Sequence, residues 1–128
     1  MRKSIENLFG RKYTGGRKVP LRGRRKYEID RYPNEAVLGT TEMVSRRTRG
    51  NNFKFALKSA EFANVSDTLS KTTKRLKIIR VIKNPANKDY ERRGVISKGA
   101  LFETEEGIAK VVSRPGQNGS VNAVLVRR

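Results

Sequence analysis

The 128-residue sequence contains no cysteine and no histidine. Without cysteine there is neither a disulfide framework nor a thiolate metal site, which fits a reducing compartment. Without histidine, the commonest general base near neutral pH and the commonest metal ligand are missing together. Acidic residues are scarce: 12 Asp and Glu stand against 30 Lys and Arg, a formal net charge of +18. Long apolar runs are missing too. The opening MRKSIENLFGRK has basic residues but no apolar stretch of signal-peptide length, and no window approaches a transmembrane span. These absences lead to the expectation of a cytoplasmic chain that uses no cofactor and no metal, takes no small-molecule substrate and does not enter a membrane.

What is present is cationic charge in excess of any solubility requirement. The length suits one domain with a modest core plus a tail. A net charge this large repels itself in the compact state, and added acids serve solubility better than added bases. A membrane-surface role would need a sustained basic amphipathic helix, which the sequence lacks. Nucleic acid is the expected partner, because each phosphate neutralised by Lys or Arg releases condensed counterions.

Residues 1–33 form a basic, Gly-rich extension without sustained periodicity. Gly10, Gly15, Gly16 and Gly23 interrupt any regular helix, although a short helical turn at residues 4–9, capped by Ser4, fits the opening. The extension has little to bury, so its order is expected to come from a polyanion outside the chain. Residues 34–128 read as short strands between turn signals. Phe53, Phe55 and Leu57 alternate with Lys54, Ala56 and Lys58, which predicts a half-buried strand with both Phe rings in the core, stacking on bases being the second reading for the rings. The β-branched run at residues 72–83 predicts a second strand, bulged and ended by Asn84-Pro85. Glu105-Glu106-Gly107 marks a hairpin, and residues 114–120 read as a turn before a final strand with both faces covered. The expected fold is mainly β: a small closed or nearly closed antiparallel barrel behind a basic, irregular arm.

Candidate contacts with nucleic acid follow from these placements. In the arm they are Lys12, Tyr13, Gly15, Gly16, Arg17, Lys18, Arg22, Arg24, Arg25 and Lys26. Flexible glycines let backbone amides and Arg17 approach phosphate, and Tyr13 and Tyr27 suit stacking on RNA. TGGR lacks the rest of a Walker loop, so it is not a nucleotide cradle. In the segment 45–55 the candidates are Arg46, Arg47, Arg49, Asn51, Asn52 and Lys54: Arg forks fit phosphate oxygens, and Asn amides suit base edges or sugar hydroxyls. An ordinary basic hairpin with polar turn residues is the alternative reading of the same stretch, second to RNA contact. Lys88 sits in a turn, and Arg92-Arg93 at the start of the following strand suggests a phosphate clamp. Asn87 reads as a turn lock at least as well as an RNA contact. Lys98 and Arg114 sit beside Gly-rich turns, where backbone geometry is the first explanation and contact the second. Glu105-Glu106 has no His or Cys with which to build a catalytic set, so no enzyme is expected.

The motifs YTGGR, RGRRKYE, RTRGNN.K, NPAN..Y.RR and ISKGA..ET..G.AKV.SRPGQNG.VNAVL, in this order over residues 12–125, resemble the S-eight-e family of small-subunit ribosomal proteins from archaea and eukaryotes. The chain lacks the long central insertion of the eukaryotic members and is archaeal-like. Two positions depart from the family pattern: Ile29-Asp30-Arg31 replaces Leu-Gly-Arg, and Gly50-Asn51-Asn52 replaces Gly-Gly-Asn. The resemblance implies a non-catalytic constituent of the small ribosomal subunit, with a β-barrel and an arm buried among ribosomal RNA helices. It further implies other small-subunit proteins as neighbours and no homo-oligomer. Charge alone also admits a DNA-compacting chromatin protein. A metal-dependent nuclease built on scattered carboxylates is the third alternative, with no motif behind it.

Overall fold

In a computed structural model, described over residues 10–19, 21–23, 25–28 and 32–126, nine strands and two short helices follow one another. They are β1 (Ala36–Leu38), β2 (Glu42–Arg47), β3 (Phe53–Ala60), β4 (Phe62–Asp67), β5 (Thr72–Lys83), α1 (Lys88–Arg92), β6 (Val95–Ile96), β7 (Leu101–Thr104), β8 (Gly107–Val111), α2 (Pro115–Asn118) and β9 (Asn122–Leu125). The helical turn expected at residues 4–9 lies outside the described residues, as do Arg24 and the divergent Ile29-Asp30-Arg31. Contacts divide the chain into two units, Met1–Pro33 and Asn34–Arg128.

The larger unit holds a closed barrel in the order β4-β5-β7-β8-β9. Four of its five ladders are antiparallel, but β4 and β9 close it in parallel, Asn64 opposite Asn122. The closed antiparallel barrel expected from sequence is present, with this one seam parallel. Parallel partners need a long connection, and here β5 to β8 supply it. Closure removes the exposed edges that short basic strands would otherwise present. The run at 72–83 is the strand β5, and its register slips between Ile78 and Arg80 and again between Val81 and Lys83. Those irregularities are the expected bulging; they leave Ile78 buried and turn Ile79 outward. The β7–β8 hairpin turns at Glu105-Glu106, with Thr104 paired to Gly107.

The barrel interior is narrow and is filled mostly by small side chains around one large ring, Phe102, at 0% exposure. Ala63, Val65, Ile78, Ala109, Val111 and Ala123 surround it in one cluster, which also takes in Ala36, Leu57 and Ile96 from outside the barrel. Those three belong to a second, four-stranded sheet in the order β2-β3-β1-β6, which the sequence reading did not separate from the barrel.

The second sheet corrects the placement of Phe53 and Phe55. Both rings point outward, 59% and 54% exposed, while the neighbours Ala56 and Leu57 are both buried. Only the last residues of β3 meet β1, at Ser59 and Ala60. Among the strands the first half of β3 pairs with β2 alone, and it buries Ala56 while both Phe rings stay outside the core.

Two further expectations change. Residues 88–92 form the helix α1, capped by the Asn87 side chain, which accepts the Asp89 N–H at 2.9 Å. Arg92 and Arg93 therefore close a helix and do not open a strand. Residues 115–118 form the helical turn α2, with Pro115 at its first position and Gly119 left-handed at its end (φ 70°). Gly116 is required there by space, since a Cβ would lie 2.6 Å from the Asn34 carbonyl oxygen.

Candidate nucleic-acid interface

In the smaller unit, the sequence around TGGR folds back on itself. Lys12 N–H donates to the Gly16 carbonyl at 2.8 Å, and Gly15 N–H to that of Lys12 at 3.0 Å. Lys18 N–H reaches the Gly10 carbonyl at 3.0 Å. Gly15 carries the left-handed turn (φ 84°). The hairpin sets Arg11 opposite Arg17 as an antiparallel pair, an arrangement that repels unless an anion intervenes. The Arg11 guanidinium bends onto the Gly15 carbonyl at 3.0 Å, and Arg11 is a residue the sequence reading passed over. Lys12, Tyr13, Gly15, Gly16, Arg17 and Lys18 are all exposed. Arg22 donates to the Gly23 carbonyl and Arg25 to the Tyr27 hydroxyl, in a stretch that includes one short turn at Lys26–Glu28. The arm is thus locally shaped by backbone hydrogen bonds while the side chains of these residues stay in solvent.

In the larger unit, the β2–β3 ribbon brings its candidates together by register. Arg46 stands opposite Lys54 and Arg47 opposite Phe53. Arg46 is half-buried and donates to the Asn34 side-chain oxygen, so it ties the ribbon to the chain entering β1. The loop between the strands turns on two consecutive left-handed residues, Gly50 (φ 70°) and Asn51 (φ 59°). Asn tolerates that conformation better than most side chains, and it lets the Thr48 N–H reach the Asn52 carbonyl at 2.7 Å. Arg49, Asn51, Asn52 and Lys54 are exposed around the tip, and neither Arg49 nor Lys54 has an ion-pair partner among the described residues.

Around α1 the picture differs. Arg93 is held by Glu35 at 2.7 Å and by Asp89 at 2.9 Å, and its guanidinium lies 5.5 Å from the centre of the Tyr90 ring. Hydrogen bonding from Arg93, with a further bond from Tyr90, holds the Glu35 carboxyl below its ordinary value of 4.5. The Arg93 guanidinium is correspondingly pushed up, first by its bond to Glu35. Arg92 pairs with Asp89 at 2.9 Å. Arg92 thus staples the helix internally, while Arg93 ties its end to Glu35 before β1. Lys88 and Arg92 nevertheless line an open groove of about 680 Å³ with Lys83, Asn84, Pro85 and Glu91. Lys83, missed in the sequence, contributes a further cation there. Asn84 is buried at the floor: its amide donates to the Val95 carbonyl at 2.9 Å, and its oxygen accepts from Ala86 N–H at 3.1 Å and Ser97 Oγ at 3.0 Å.

Lys98 and Arg114 are exposed beside turns whose backbone explains them. Gly99 (φ 88°) donates to the Val111 carbonyl at 2.8 Å, and the Arg114 carbonyl accepts from Gln117 and Asn118, each at 2.9 Å. Glu106, at the β7–β8 tip, pairs with Lys74 at 2.7 Å and raises the lysine pKa. Its carboxylate is committed to that ion pair. Among the described residues no group of three or more Asp or Glu is placed to hold a metal ion, and no helix is long and apolar enough to cross a membrane. The surface is suited to holding polyanions.

Comparison with known proteins agrees with this chemistry. A family profile described as "Ribosomal protein S8e" matches residues 6–126. The "Small ribosomal subunit protein eS8" of Sulfurisphaera tokodaii is 48% identical over 118 residues, covering 91% of this chain and 92% of the relative. That of Sulfolobus acidocaldarius is 50% identical over 118 residues, with 91% and 92% covered. That of Methanocorpusculum labreanum is 46% identical over 116 residues, with 91% and 93% covered. With nearly the whole length matched and the cationic β architecture in place, the chain belongs to the S8e family of ribosomal proteins.

Proposed function

We propose that this protein is a non-catalytic structural constituent of the small ribosomal subunit, working on the ribosome in the cytoplasm, that binds ribosomal RNA through its arm and through the basic turns of the larger unit. In this reading residues 1–33 act as a tether shaped by phosphate, and residues 34–128 as a self-sufficient β unit with other small-subunit proteins for neighbours. The observation that carries it is the facing pair Arg11 and Arg17, like charges set opposite each other in a hairpin exposed to solvent. A phosphate between the two guanidiniums turns that repulsion into attraction. Arg46 opposite Lys54 also sets like charges across a ladder in the other unit, there with Arg46 half-buried on Asn34 and Lys54 exposed. Recognition is mainly of backbone and shape, because A-form RNA hides its base edges in a deep, narrow groove.

The test is a salt titration of the intact chain on a small-subunit ribosomal RNA transcript, with duplex DNA as competitor. Neutralising roughly six to ten phosphates predicts an affinity loss of about a thousandfold or more between about 50 and 200 mM salt. RNA is expected to win the competition, and equal affinity for DNA would favour the chromatin reading. Deleting residues 1–33 is expected to leave a folded β unit that has lost most of its RNA affinity; full binding by the shortened chain refutes the tether.

A further inference from the structure

The outer face of the β2–β3 ribbon carries two aromatic rings that the fold does not use. Phe53 and Phe55 are 59% and 54% exposed. They stand two residues apart on one face of β3, with Arg47 opposite Phe53 and Ser45 opposite Phe55. We propose that this face is a stacking platform for unpaired nucleobases, with Phe53 and Phe55 as the rings and Arg47 as the flanking guanidinium. The proposal rests on the RNA-binding reading above and deepens it from phosphate contact to base contact.

Three features favour RNA over a protein partner. The first is charge: residues 43–60 contain no carboxylate and five cations, Arg46, Arg47, Arg49, Lys54 and Lys58, of which Lys58 pairs with Glu42 at the far end of the ribbon from the loop. Exposed apolar patches mark partner sites, and this one lies in a field that attracts phosphate. The second is spacing. Alternate residues of a strand rise about 6.8 Å, twice the roughly 3.4 Å separation of stacked bases, so one base fits between the two rings. The third is support. A Cβ at Gly119 would lie 3.0 Å from Phe55 Cβ and 3.7 Å from Met43 Sδ, so the end of α2 abuts the root of the Phe55 side chain. That backing fixes where the ring emerges. Gly119 and Leu57 also border an adjoining groove of about 250 Å³, where Arg75 lies 4.7 Å above the Phe62 ring. A strand leaving the platform meets a second aromatic–guanidinium pair there. Single strands are the occupant because paired bases offer no free face to a side chain.

The experiment compares the intact chain with Phe53→Leu/Phe55→Leu and Phe53→Tyr/Phe55→Tyr, each checked by circular dichroism. The probes are a short single-stranded oligouridylate and an RNA duplex of the same length. The Leu pair is expected to lower oligouridylate affinity by about tenfold or more for each ring, with duplex affinity and the salt slope unchanged. The Tyr pair, which keeps the rings, is expected to bind as the parent does. Parental single-strand binding by the Leu pair overturns the platform, and so does an equal loss on both probes, which would mark damage to the fold. Self-association of the parent that the Leu pair abolishes overturns it as well, since a second copy would then cover the face. A parent that binds neither probe overturns the RNA-binding reading itself and the platform with it. A parent that binds duplex while the rings have no effect overturns the platform alone.

Discussion

Replacing Asn84 by alanine tests the joint between the two sheets of the larger unit. Asn84 follows the last residue of the barrel strand β5, and its amide donates to Val95 in β6 of the other sheet. Its oxygen accepts from Ala86 N–H and Ser97 Oγ. Three side-chain hydrogen bonds disappear together in Asn84→Ala. At about 0.5–1.5 kcal/mol net for each, the expected loss is about 3 kcal/mol. For a domain of roughly a hundred residues, each kcal/mol lowers Tm by about 4–8 °C, so a fall of about 12–24 °C is expected. Urea denaturation followed by circular dichroism reads the same loss as a lower midpoint at unchanged slope. Ser97→Ala, which removes one of the three bonds, is expected to cost about 1 kcal/mol. Combined with Asn84→Ala it should add little, because the shared bond is already gone. A loss below about 1 kcal/mol for Asn84→Ala would refute the reasoning, since the node would then be no stronger than one ordinary hydrogen bond.

Gly116→Ala brings a methyl to 2.6 Å from the Asn34 carbonyl oxygen, a backbone atom with little room to retreat. A destabilisation of about 1–3 kcal/mol is expected in thermal denaturation, and Arg46 should lose its hold on Asn34 at the same time. Lys88 has no ion-pair partner among the described residues, so Lys88→Gln is expected to leave Tm unchanged and lower the RNA salt slope by about one. Arg93→Gln should do the reverse, loosening α1 with little change in slope. Glu35 gives a pH dependence of fixed sign. Its folded pKa lies below the ordinary 4.5, so its stabilisation is complete above that value and is lost as pH falls through the folded pKa. Protection of the α1 amides, taken relative to their intrinsic exchange at each pH, is expected to fall over that acid range, and Arg93→Gln should bring the Glu35 titration back toward 4.5.

The sequence was legible where a local pattern coincided with a local partner. Glu105-Glu106-Gly107 joins strands that pair with each other, so its turn chemistry sufficed. The same is true of the bulged β5, whose β-branched run outweighed its helical spacing. Alternation misled at Phe53 and Phe55 because period two says that a strand has two faces and nothing about whether either meets a core. The parallel seam of β4 with β9 joins residues far apart in sequence, Asn64 and Asn122, and no spacing signals it. Both short helices did carry signals. Asn87 before Lys-Asp-Tyr-Glu-Arg is a capping pattern, and Pro115 with Gly119 brackets a turn of helix. Asn84 carried none, because Val95 and Ser97 come to it through folding.

The structure divides the cations into two kinds that composition cannot separate. Lys58, Lys74, Lys77, Arg80, Arg92 and Arg93 answer to carboxylates of their own unit. Arg11 opposite Arg17 and Arg46 opposite Lys54 stand across a ladder from their own sign, Arg46 with its guanidinium on Asn34. A fold selected only for stability would place acids at those positions, since like charges across a ladder destabilise it. Salt therefore acts in opposite directions on the two properties. Screening relieves the facing pairs and stabilises the free protein, while it displaces the phosphates that would sit between them and weakens RNA binding. Any basic chain loses RNA affinity as salt rises, but one whose charge was incidental would show neither effect concentrated at facing pairs. Opposed salt dependences, located at these pairs, are what distinguish a surface built for a polyanion from one that is merely basic.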